Sequence, residues 1–203
     1  MEKLLFLFPR KGGLSREEFF EHYLTVHAPL GLEVTRTMRH YTVNLHDGND
    51  DAPEGVDAFT ETWTDSVADF MNVDASFATP ADAERLMNDH NSFIGDPYFA
   101  YAVEEHAVKG AGERRAPTGA RTDGSKTIVM ATDDAALEAI VKAAVAHDDV
   151  TDVVEDRVVQ VVMPGSPDAA AFVHVWSRDS VADALGAAAD GTTAYAVSEY
   201  VQR

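Results

Sequence analysis

FTETWTDSVAD, residues Phe59–Asp69, returns in the second half of the chain as FVHVWSRDSVAD, residues Phe172–Asp183, with one residue inserted. A further pair, AYAVEEHAV at Ala100–Val108 and AYAVSEYV at Ala194–Val201, follows in the same order. Matching blocks in a fixed order mark a repeated structural unit. Within the unit, FTETW alternates as a strand does, and DSVAD sets a serine ahead of a short helical run.

Each half reads the same way outward from this block. In the first, Lys3–Phe8 is a buried strand and Ser15 opens a helix. Met38–Leu45 and Phe59–Thr64 are strands, Ser66–Val73 and Pro80–Phe93 are helical, and Tyr98–Val108 closes as a strand. In the second, strands at Lys126–Ala131, Val150–Met163, Ala170–Ser177 and Thr192–Val201 alternate with helices at Asp133–Ala146 and Ser180–Ala189. Both follow the β-α-β-β-α-β order of a ferredoxin-like unit. Residues 109–125, KGAGERRAPTGARTDGS, have no apolar period and read as a linker. A four-stranded sheet with helices on one face must cover the other. The expected fold is therefore α+β. Two ferredoxin-like βαββαβ modules, 1–108 and 126–203, pack sheet to sheet into an intrachain dimer, a closed α/β barrel with its helices outside. The second module is the degenerate one.

The chain has 203 residues and a formal net charge of −19, with 35 acidic residues against 16 basic ones. Such a surface repels phosphate backbones and anionic lipids, so neither nucleic acid nor membrane is an expected partner. The acids are dispersed and not gathered in a tail, a pattern that suits high intracellular salt and reads as halophilic. There is no cysteine, hence no disulfide and no thiolate chemistry. The apolar run Leu4–Phe8 is too short for a signal or a membrane span, and the expected location is cytoplasmic.

Ser15–Leu30, SREEFFEHYLTVHAPL, holds the first candidate for chemistry. Ser15 and Glu18 fit a capping box, Phe20, Tyr23, Leu24 and His27 recur on one face, and Pro29 is expected to end or kink the helix just after His27. A histidine on the apolar face serves as a general acid or base near neutral pH, or as a core residue bonded to a backbone carbonyl. Glu61 lies between Phe59 and Trp63 on one strand face, where a carboxylate can pair with His27 or simply face solvent. Tyr41 shares a face with Val43 and Leu45, and His40, Thr42 and Asn44 share the other. Either face can line a pocket, and Tyr41 is the candidate because its apolar neighbours mark the core side, where His27 also points, or it is a packed core tyrosine.

Trp63 and Phe20 are candidate walls for an aromatic ligand, or core residues. His22 falls on the flank of the first helix, and His46 and His90 stand in acidic, exposed surroundings. Asp89 and His90 are neighbours and so point apart on a helix. No HExxH motif, no facial triad of usable spacing and no phosphate loop occurs, so no metal site is expected.

KLLFLFPRKGGLSREEFFEHYLTVHAPL (Lys3–Leu30), RHYTVNL (Arg39–Leu45), ETW (Glu61–Trp63), NDHNSF (Asn88–Phe93) and VEEH (Val103–His106) together resemble the EthD-type family of the dimeric α/β-barrel superfamily. The resemblance covers roughly residues 1–108, and the second half has no HAPL equivalent. It implies a small-molecule pocket and chemistry without a cofactor, since related proteins include a muconolactone isomerase and quinone-forming monooxygenases. It also implies haem as an alternative, with a histidine as axial ligand, because neighbouring families bind haem. The expected function is acid–base chemistry on a small, partly apolar molecule by His27 with Glu61 or Tyr41: an isomerase, a lyase or a cofactor-independent oxygenase. The alternatives are a haem protein and a non-catalytic ligand-binding or stress-related barrel. Further association into a homo-oligomer stays open.

Overall fold

The structure is a computed structural model and describes residues 1–47, 55–110, 119–190 and 192–202. The polar loop expected over Asp47–Gly55 and the centre of the linker expected over 109–125 lie outside the described residues.

Strand β1 (Glu2–Phe8) leads into helix α1 (Arg16–His22), whose start is the expected capping box: the Ser15 hydroxyl accepts from Glu18 N–H and the Glu18 carboxylate accepts from Ser15 N–H. The helix does not end at Pro29. It widens into a π-turn at Tyr23–His27 and runs on as α2 (Ala28–Val34). Proline has no N–H to donate, and its ring crowds the carbonyl four residues back. In the π-turn the Ala28 N–H reaches back five residues to the Tyr23 carbonyl, which opens the turn ahead of Pro29 and lets the helix continue. Next come β2 (Met38–His46), β3 (Ala58–Thr64), the short helices α3 (Val67–Met71) and α4 (Val73–Ser76), α5 (Pro80–Phe93) and β4 (Phe99–Lys109).

The second half supplies β5 (Ser125–Ala131), α6 (Asp134–Ala146), β6 (Val150–Val161), β7 (Ala171–Ser177), α7 (Ala182–Gly186) and β8 (Thr193–Val201). Helix α7 is shorter than the Ser180–Ala189 read from sequence. It begins after Val181 with no side-chain cap and ends on Gly186, whereas Ser66 of the matching block caps α3 through the Asp69 N–H.

The eight strands close into one antiparallel barrel in the order β1-β3-β2-β8-β5-β7-β6-β4. Its first-half strands run β4-β1-β3-β2 and its second-half strands β8-β5-β7-β6, the same order. The closing pairs β2·β8 and β4·β6 leave no open edge. Apolar side chains form three layers. Phe59, Tyr101, Ile128, Phe172 and Tyr195 fill the barrel. Phe8, Phe19, Tyr23, Tyr41 and Phe93 lie between the first-half strands and their helices. Leu137, Ile140, Val153 and Val175 do the same beneath α6.

The barrel also holds charge. Lys3 Nζ lies 2.9 Å from Glu61 Oε2, 2.7 Å from Glu105 Oε2 and 2.7 Å from Asp156 Oδ2. Lys126 Nζ lies 2.6 Å from Glu61 Oε1 and 2.7 Å from Glu199 Oε1. Each ammonium also sits over a tryptophan, Lys3 over Trp63 and Lys126 over Trp176, both 4.5 Å from the ring centroid. Asn44 Nδ2 donates to Glu61 Oε1 at 2.9 Å. Burial works against ionisation of Glu61, but the ammonium groups of Lys126 and Lys3 hold its carboxyl well below the usual carboxylate range. Removing Lys126 leaves the buried Glu199 carboxylate without its cation and Glu61 with Lys3 alone. Lys126→Ala should therefore destabilise the chain by about 3–5 kcal/mol, read as a lowered midpoint of urea unfolding.

Candidate functional site

Alternation along β3 divides the candidate residues. Phe59, Glu61 and Trp63 turn into the barrel, while Thr60 and Thr62 turn outward beneath the first-half helices. On that outer side a cavity of about 220 Å³ is bounded by Phe6, Phe8, Tyr41, Thr60 and Thr62 of the strands and by His27, Gly31 and His90 of the helices. Phe70, Met71, Val73 and Met87 form its apolar rim.

The structure thus brings His27 and Tyr41 to one cavity and sets Glu61 apart from both, on the opposite face of the sheet. A pairing of His27 with Glu61 is not formed: Glu61 is engaged by Lys3, Lys126 and Asn44. Trp63 stacks on Lys3 at a barrel mouth, outside this cavity. Phe20 is half-buried against Phe19 in the helix–sheet layer and is not among the cavity's lining residues.

His27 is buried, with a side chain 8% exposed, and its Nδ1 lies 2.7 Å from Asp89 Oδ2. A side-chain carboxylate takes the place of the backbone carbonyl that a core histidine would use. With Nδ1–H donated to Asp89, the neutral ring keeps its lone pair on Nε2. The second oxygen of Asp89 is 2.8 Å from His22 Nε2. Burial opposes the charge on Asp89, but the bonds from His27 and His22 outweigh it and hold the carboxyl below its ordinary value.

Burial raises the Tyr41 phenol well above its ordinary range, with Tyr23 adding to the effect, so Tyr41 stays a neutral donor. Its hydroxyl lies 3.5 Å from the Tyr23 hydroxyl, which is itself tightly bonded to Thr60 Oγ1. A contact of that length holds the Tyr41 proton weakly and leaves it able to turn to a guest.

Two histidines depart from the sequence reading. His46 is buried, edge-on to Tyr195 at 5.4 Å. His90 is half-buried in the cavity wall between Phe8 and Tyr98, with ring centroids at 5.4 and 5.0 Å, and its Nε2 is covered. The acidic neighbour of His90 misled because Asp89 turns inward to His27 and His22 and not to solvent. Asp89, the residue that makes His27 more than a core histidine, was missed as a partner; its only signal was its place in NDHNSF.

Two places in the molecule offer donor atoms to a bound group. Glu61, Asp156 and His174 place one donor atom each within 4.8 Å of one another, a carboxylate–histidine trio that strand spacing hides from a sequence scan. The Lys3 ammonium already lies between its two carboxylates, so the set fits an internal cation better than a metal. For haem, His27 offers a ring nitrogen backed by a carboxylate, but the cavity falls below the roughly 300–1,000 Å³ of ordinary ligand pockets and suits a compact guest, not a tetrapyrrole.

Two predictions follow from the cavity wall. Burial, with His27 nearby, pushes the His90 ring down to about 4. Between pH 6.5 and about 4 the unfolded chain therefore binds a proton that the folded chain does not, and stability falls as pH drops through that window. His90→Phe should remove on the order of 3 kcal/mol of that loss, measured by chemical unfolding of variant and parent at pH 7 and pH 4.5. Gly31 is helical, and a Cβ there would meet only Leu86, at 4.0 Å. Gly31→Ala should raise stability by about 0.5–1 kcal/mol in thermal unfolding.

Comparison with known proteins agrees with this geometry. Residues 11–97 match the EthD domain family. Among curated proteins none matches the sequence. An anthrone oxidase-like protein superposes with a TM-score of 0.63 at 12% identity, over 99% of this chain and 93% of that one. A protein from Fusobacterium nucleatum that carries a provisional monooxygenase name superposes with a TM-score of 0.54 at 8% identity, over 100% of this chain and 92% of that one. At those identities the likeness is one of fold. Residues 11–97 thus resemble an EthD domain, and they are carried in a closed eight-stranded antiparallel barrel whose fold is shared with these structures.

Proposed function

We propose that the chain is an enzyme acting on a small, partly apolar molecule by acid–base chemistry, with His27 as the proton acceptor and donor. The observation that carries this reading is the His27–Asp89 bond of 2.7 Å at the wall of an apolar cavity. A base in that position takes a proton through Nε2 while Asp89 fixes the tautomer and stabilises the imidazolium. Tyr41, on the opposite wall, donates to the oxygen on which negative charge develops. Tyr41 is the fitting partner in this scheme, because Glu61 is committed to two lysines within the barrel. An isomerase, a lyase and a cofactor-independent oxygenase all begin with such a proton abstraction. Of the three, the oxygenase is the one whose class also appears in the names of two proteins of the same fold, an anthrone oxidase-like protein and a provisionally named monooxygenase.

The same reading treats the chain as a tandem duplication, with modules at 1–108 and 126–203 and the site confined to the first. It is supported by the shared strand order of the halves and by matching pairs at equal register: Lys3 opposite Trp63 in one, Lys126 opposite Trp176 in the other. In the second half Ala136, Leu137, Ile140 and Ala144 of α6 are buried in the apolar layer on the sheet.

A phenol whose anion is coloured reports proton transfer directly. 4-Nitrophenol bound to the protein should shift toward its phenolate absorption at a pH where free dye is largely protonated. His27→Ala should abolish the shift with the fold retained by circular dichroism, and Tyr41→Phe should weaken binding about tenfold, the loss of one hydrogen bond of roughly 1.4 kcal/mol. On a turned-over substrate, loss of the base should cost about 10²–10⁴ in rate. An unchanged shift in folded His27→Ala protein would refute the assignment.

A further inference from the structure

His22 and His27 stand five residues apart. In a regular α-helix that spacing separates side chains by about 140° around the axis, so the two rings would face different ways. The π-turn at Tyr23–His27 changes this. It inserts the extra residue of an i→i+5 turn between them, and both rings reach Asp89: His22 Nε2 to Oδ1 at 2.8 Å and His27 Nδ1 to Oδ2 at 2.7 Å. Both also pack on Phe93, with centroids at 4.6 and 4.8 Å. The two histidines differ in what they face. The His27 side chain is 8% exposed and lines the cavity, whereas that of His22 is 31% exposed and reaches solvent.

We infer that His22, Asp89 and His27 form a charge-coupled relay in which the protonation of His22 at the surface governs the proton affinity of His27 in the cavity. This rests on the reading of His27 as the base. One carboxylate carries one negative charge, and one imidazolium balances it. A second imidazolium on the same carboxylate meets a charge already neutralised and a like charge beside it. The proton therefore sits on one histidine at a time. When Nε2 of His27 takes a proton from a molecule in the cavity, a new N–H bond forms there. The N–H bond that breaks in compensation is on His22, whose outward nitrogen gives its proton to water. The charge of the trio is the same before and after, and the cavity base is charged without an uncompensated ion being created under the helices.

His22 is a positioning residue in this scheme, acting through Asp89. The other titratable groups around the trio are His90 on α5, with its ring 5.8 Å from that of His27, Asp96 just beyond that helix, and Tyr23 beside His27. The loop before α1 adds Lys11, whose ammonium is held by the Asn91 carbonyl.

The test is a titration of the free protein labelled with ¹⁵N-histidine, which needs no substrate. In the parent, the rings of His22 and His27 should each titrate in two steps, and neutral His27 should carry its proton on Nδ1. His22→Gln keeps an N–H for Asp89 Oδ1 but cannot titrate. In that variant His27 should titrate in one step, its midpoint raised on the order of one pH unit. Asp89→Asn should also give single, independent steps, with both midpoints lowered. Independent single-step curves in the parent would overturn the relay, as would a His27 curve unaltered by His22→Gln. Because the dye experiment reads His27 alone and this one reads the coupling, the base assignment and the relay can fail separately.

Discussion

The constraint on which the rest of the structure depends is the burial of two lysines inside a closed barrel. An ammonium withdrawn from water is tolerated only where anions and polarisable rings replace its hydration, and here each lysine is given both. Lys3 takes Asp156 and Lys126 takes Glu61, so each cation is neutralised partly by a strand from the other half of the chain. Glu61 bonds to both lysines. Hydrophobic filling alone would accept a slipped barrel of similar area. A slip by one residue would turn the lysines to the outer face and leave the carboxylates without cations. The charges thus act less as a source of stability than as a lock on register, and the register decides which residues of β2 and β3 turn outward beneath the helices.

Sequence made the architecture legible because repetition and period-two alternation are local signals. The strand order followed from FTETW and FVHVW together with the need to cover a one-sided sheet. The Phe59–Glu61–Trp63 face was also legible, but the side on which it lies was not. A strand buried on both faces shows no polar side, and Glu61 among aromatics looks the same whether it faces a pocket or an internal lysine. What distinguishes the two is Lys3 and Lys126, whose places are set by pairing with β1 and β5.

The candidate site was legible in one residue and its neighbour across the cavity, His27 and Tyr41. Asp89 escaped because adjacent residues on a helix were taken to serve different surroundings, whereas His27 lies near enough to meet both Asp89 and His90. Pro29 reads equally as a stop or a kink, since its effect on the preceding turn depends on whether the helix has somewhere to go. Beyond it α2 packs against α5, and that contact draws the helix onward through a widened turn. First-half helices are broken into α1, π-turn and α2, then α3 and α4, and broken helices leave space. The unbroken α6, rich in alanine, buries Ala136, Leu137, Ile140 and Ala144.

The exchange of Glu61 for His174 at equal positions of the two halves has a consequence for assembly. The two side chains approach within 3.8 Å near the middle of the barrel. If two copies of the first half closed on each other in this manner, glutamate would meet glutamate there. Asp156 would be replaced by a second Asn44, so that each Lys3 would lose the carboxylate that Asp156 supplies here. Two copies of the second half would bring histidine to histidine. The complementary half is therefore the favoured mate and a pair of like halves is disfavoured, so any exchange between molecules must still join a first half to a second half.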